Sequence, residues 1–80
     1  MKLPAIKKLV HDYTIEQLTF ANDAILTGDP LSITVGGEDE GEQLTHLYAA
    51  LWVKKHMVDN ETDVATSLRA YTAMVRNSFK

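Results

Sequence analysis

Four segments of this chain repeat apolar residues at helical spacing, and one short segment alternates them. Leu3, Ile6, Val10 and Tyr13 recur on one side of the first, opposite Lys7, Lys8 and His11, the period of an amphipathic helix. Pro4 suits the first turn, where the missing N–H has no intrahelical partner to lose. The spacing therefore predicts a helix from Pro4 to about Asp12. Thr14-Ile-Glu-Gln17 has the form of a capping box, a hydroxyl for one orphan N–H and an amide reaching back to another. It opens a second helix, Ile15–Thr27, that buries Leu18, Ala21 and Ile25. Gly28 offers a left-handed stop, and Pro30 prevents continuation.

Leu31-Ser-Ile-Thr-Val35 alternates apolar and hydroxyl residues, the period of a half-buried strand. A lone strand cannot satisfy its own backbone. It must pair with the same strand of another copy, or lie bound as an extended loop. Gly36-Gly37 ends it. A third helix starts near Asp39 and ends near Val58, with acids at the positive end of its dipole and Lys54, Lys55 and His56 near the other end. Thr62 or Asp63 caps a fourth, whose stripe is Val64, Leu68, Tyr71, Val75 and Phe79. The expected fold is mainly α: one domain over residues 1–80, a compact bundle of about four helices with one extended segment at 31–35.

The third helix departs from the simple pattern. Leu44, Leu47, Tyr48, Leu51 and Val58 line what reads as its main face, while Ala49, Ala50, Val53 and Met57 spread over the opposite one, with His46 at the margin. A helix apolar nearly all round must be covered nearly all round. In 80 residues that cover has few sources within one chain. A domain this short buries only roughly 60–65% of the surface its unfolded chain exposes, so disulfides, a metal or oligomerisation usually assist. The chain has no cysteine, which leaves oligomerisation as the simplest compensation. The interface candidates are the second face (His46, Ala49, Ala50, Val53, Met57), Trp52 beside it, and Leu31, Ile33 and Val35 of the lone strand. Trp52 serves either as core packing or as an anchor for a partner, where aromatic residues are favoured.

Composition narrows the classes further. The formal charge is −3, which weighs against non-specific nucleic-acid binding, since that depends on neutralising phosphates. No apolar run approaches the roughly 18 residues of a membrane span, and the first residues lack the apolar core of a secretory signal. The expectation is a soluble cytoplasmic domain.

The chemistry-bearing residues are few. Glu38-Asp-Glu-Gly-Glu42 lacks the spacing of a calcium loop and is explained by the helix dipole. Glu42 and His46, four apart, are the weak candidates for a metal; di-iron bundles use a spacing of three and further glutamates, which are missing here. Arg69 and Arg76 lie two turns apart and are the candidates for an anion, since arginine forks suit bidentate contacts. Ser32, Ser67 and Ser78 lack the glycine context of an activated nucleophile. Neither an enzyme nor a cofactor is expected.

Met1-Lys-Leu-Pro-Ala-Ile-Lys-Lys, Gly37-Glu-Asp-Glu-Gly-Glu-Gln-Leu-Thr-His46 and Arg69-Ala-Tyr-Thr-Ala-Met-Val-Arg-Asn-Ser78 together resemble a small bacterial family of about this length and of unknown function. That resemblance implies no activity and transfers no site residues. The expected function is a non-catalytic interaction or structural module, a homo-oligomer with a dimer favoured, which docks a protein partner. Two alternatives stand beside it. One is a ribbon-helix-helix nucleic-acid binder, whose order of strand and two helices matches although the strand offers no Arg or Lys. The other is a small metal-binding domain around Glu42 and His46.

Overall fold

In the computed structural model, which describes residues 2–78, four helices follow one another: α1 (Leu3–Asp12), α2 (Ile15–Thr27), α3 (Glu40–Asn60) and α4 (Val64–Asn77). Their ends are set by local chemistry. Thr14 Oγ1 accepts from the Gln17 N–H at 3.1 Å while Gln17 Oε1 accepts from the Thr14 N–H at 2.9 Å, the complete capping box of α2. Gly28, at φ 82°, closes that helix: its own N–H returns to Ile25 and that of Asp29 to Ala24. Asp39 caps α3 through the Glu42 N–H, and Asp63 caps α4 through the Thr66 N–H, each at 2.8 Å.

The third helix is the spine. Its 21 residues span roughly 31 Å at the helical rise, close to the 32 Å long dimension of the molecule. α1, α2 and α4 all pack against it, and α1 and α4 touch one another only lightly. Three neighbours explain why its sequence is apolar on so many sides.

Those neighbours bury the small-residue face together with Leu47, and leave most of the expected main face open. His46, Leu47, Ala49, Ala50 and Val53 are fully buried, whereas Tyr48 is 58% and Val58 69% exposed, with Leu44 and Leu51 half-buried. The small-residue face expected to meet another copy is the centre of the chain's own core, joined by Ile6, Leu9, Leu18 and Ala21. The cause is steric. Helices cross at about 8–10 Å depending on the side chains between them, and Ala49 and Ala50 permit close approach.

The segment 31–35 is not a strand, and the described residues contain none. Its alternation survives as an extended strap: Val35 is buried and Leu31 and Ile33 pack on the core, while Ser32 and Thr34 face out. Side chains, not a second strand, engage two of its backbone groups. The Thr34 N–H donates to Tyr13 Oη at 3.3 Å, and Gln43 Nε2 donates to the Val35 carbonyl at 3.5 Å. Gly37 turns the strap into α3 at φ 142°, where a Cβ would stand 3.0 Å from the Gln43 backbone nitrogen. Phe79, expected to extend the α4 stripe, lies outside the described residues.

Candidate functional site

His46 holds the strap and the amino-terminal segment together. Its imidazole is fully buried on α3. Nδ1 lies 2.7 Å from the Gly36 carbonyl, and Nε2 lies 2.9 Å from the Lys2 backbone nitrogen. The two contacts fix the tautomer: Nδ1–H donates to Gly36, and the Nε2 lone pair accepts from Lys2. Both ring nitrogens are therefore committed, and none is free for a cation. Glu42, one turn earlier, is half-buried and makes no bond to His46; one of its oxygens is buried without a partner. Among the described residues no three His, Cys, Asp or Glu side chains come together to hold a metal. The Glu42–His46 candidate is thus corrected to a structural latch and a neighbouring carboxylate.

A second cluster joins α3 to α4. Trp52 stacks on His56 with ring centroids 5.0 Å apart and planes 15° apart, and meets Tyr71 at 5.5 Å in a tilted arrangement. His56 Nδ1 lies 2.9 Å from Ser67 Oγ, which also bonds Thr62 Oγ1. A histidine against a serine suggests an activated hydroxyl, but Ser67 is fully buried and no substrate reaches it. The group ties the turn between the helices. It was not legible from spacing, since His56 and Ser67 lie 11 residues apart across that turn; only the Trp52–His56 spacing of one helical turn hinted at it. Trp52 itself is half-buried, and Met57 packs at the edge of the core.

Burial pushes the Tyr71 phenol above its ordinary 10.0, and the nearby Tyr48 adds to the effect. The bonds from Thr66 to the Asp63 carboxylate hold that group below its ordinary 3.8, with help from Arg69. Arg69 and Arg76 are both exposed, and neither forms an ion pair among the described residues. Arg69 borders a shallow concavity between α1 and α4 with Leu3, Lys7 and Leu68, which Arg76 does not line. The two arginines stay two turns apart on α4, and only Arg69 borders this concavity. Lys54, placed by the sequence at the end of its own helix, instead donates from Nζ to the Val10 carbonyl at 2.9 Å. It thereby neutralises the negative end of α1.

What remains open is the outer side of α3. Leu44, Tyr48, Leu51 and Val58 form one apolar stripe along it, interrupted by exposed Lys55. Phe20 and Leu26 on α2 are also 62% and 67% exposed, but six positions set them about 120° apart on their helix, so they form no common face.

The fold defines a small all-α domain whose fully buried polar residues, His46 and Ser67, bond to the chain's own backbone and side chains. The chain belongs to a family of unknown function, DUF6952, whose model matches residues 1–80, in agreement with the resemblance read from its three segments. No curated protein and no solved structure matches the chain. No helix among the described residues is long and apolar enough to cross a membrane.

Proposed function

We propose that this chain is a non-catalytic association module that pairs with a second copy through the outer face of α3. The observation that carries the reading is the apolar stripe Leu44, Tyr48, Leu51 and Val58, broken only by Lys55, which the chain's own helices leave partly open. Fully burying one such side chain stabilises by about 1.5–3 kcal/mol, so the part still open is a sizeable reserve for a domain of this length. The buried histidine and serine support the non-catalytic half of the reading, because His46 and Ser67 spend their polar atoms on the fold.

The ribbon-helix-helix alternative loses its ribbon, since Leu31, Ile33 and Val35 are packed on the core. The test is the native mass by light scattering at micromolar concentration. A mass above the 8.9 kDa of one chain is expected, and a strict monomer overturns the proposal.

A further inference from the structure

Charge is divided unevenly over this chain. Its formal charge is −3, yet α1 and α4 carry Lys7, Lys8, His11, Arg69 and Arg76 against a single acid, Asp12. The two helices touch one another only lightly, and a groove stays open between them. Leu3 shares one end of it with Leu68 and Arg69, His11 and Asp12 share the other end with Val64, and Lys7 borders both. The helices therefore run antiparallel along one continuous groove. Exposed Leu3, half-buried Val64 and buried Leu68 give it an apolar floor.

The cations on its rim are unspent. Lys7, Lys8 and Arg69 are exposed and form no ion pair among the described residues, whereas Lys54 is committed to the Val10 carbonyl. The acids at the ends of the groove have partners of their own. Asp12 lies 3.4 Å from His11 Nδ1, and Asp63 caps α4 through the Thr66 N–H.

We infer that this groove docks an acidic amphipathic helix of a partner protein, with its apolar stripe on Leu3 and Val64 and its carboxylates beside Lys7, Lys8 and Arg69. Two antiparallel helices offer a seat for a third, because helices pack by setting the ridges of one into the grooves of another. An amphipathic helix laid into an apolar groove is a recurring mode of recognition. The ten residues of α1 extend about 15 Å at the helical rise, enough for roughly three turns of a guest. Charge selects the occupant, since carboxylates supply the sign that the rim lacks and steer the encounter. Nucleic acid fits less well: the acids over the rest of the surface oppose a phosphate backbone, and the apolar floor gives it no partner. The groove shares no residue with the outer face of α3, so the inference stands apart from the association reading.

The probe is a fluorescent synthetic peptide that repeats the heptad Glu-Leu-Glu-Glu-Leu-Ala-Glu twice. It is titrated into the full chain and followed by anisotropy and by backbone amide chemical shifts. Saturable binding that weakens with added salt is expected, with the shifts concentrated in α1 and in residues 64–72 of α4. Lys7→Glu combined with Arg69→Glu, with helical content verified by circular dichroism, should weaken binding about tenfold. Lys55→Glu on α3 should change it little. If charge reversal disturbs the helices, the neutral pair Lys7→Gln and Arg69→Gln makes the same comparison with a smaller loss. No binding of the peptide, shifts centred outside the groove, or equal weakening by Lys55→Glu overturns the inference. Equal binding of the peptide with lysine at every glutamate position does so too, as does stronger occupation of the groove by a short DNA duplex.

Discussion

Along α3, two apolar faces differ sharply in burial. The inner face carries Ala49, Ala50 and Val53, all fully buried; the outer face carries Tyr48 and Val58, both more than half exposed. Ranking residues by hydrophobic bulk assigns the outer stripe to the core; the structure buries Leu47 of that face fully but leaves Tyr48 and Val58 exposed. In a helix packed on three sides, the inside is decided by how near the neighbours must come. Ala49 and Ala50 allow close approach there, and Leu47 and His46 fill the space beside them. The comparison also locates the surplus apolar surface that makes association plausible for so short a chain.

The largest expected effect separates the two faces by stability. Leu47→Ala deletes a fully buried side chain and should cost about 2–5 kcal/mol. Val58→Ala, on the exposed face, should stay within about 0.5 kcal/mol for the isolated chain. Urea unfolding at concentrations low enough to suppress association measures both, and equal losses would break the inner–outer distinction. The next effect concerns the latch. His46→Ala leaves the Lys2 N–H and the Gly36 carbonyl without partners and opens a cavity, at a cost of about 2–4 kcal/mol. Amide hydrogen exchange should speed up first in residues 31–37; protection there equal to the unmodified chain would show that His46 does not hold the strap.

The smallest effect is visible only in alkali. Tyr71 lies at the boundary of the two faces, buried against Trp52 and near Tyr48. Because its phenol is raised above 10.0 in the folded state, the unfolded chain ionises first as pH rises. Its contribution is complete below pH 10.0 and is lost as pH climbs from there through the raised value. Tyr71→Phe should therefore flatten the alkaline decline seen in thermal melts, whereas an unchanged slope would assign the decline to other groups.

The parts of this fold that were legible in the sequence are those governed by adjacent residues. Thr14 with Gln17, Gly28, Asp39 and Asp63 mark helix ends by chemistry confined to one turn. Burial of Leu18, Ala21 and Ile25 followed directly from the period of α2. Segment 31–35 was half legible. Its side-chain alternation was real, but the partners of its backbone are Tyr13 and Gln43, with His46 on the adjoining Gly36, which no local pattern connects to it. The choice of face on α3 was not legible, because both faces are apolar and only the placement of three other helices distinguishes them. The His56–Ser67 bond was hidden for a similar reason: it exists only once α4 folds back on α3.

The central claim is that the outer face of α3 is dispensable for folding and required for association. Light scattering on the Tyr48→Glu variant, with its helical content verified, tests both halves together. The account predicts a folded chain with the 8.9 kDa mass of a monomer under conditions where the unmodified protein is heavier. A folded variant that keeps the heavier mass would contradict it, as would one that loses its helices.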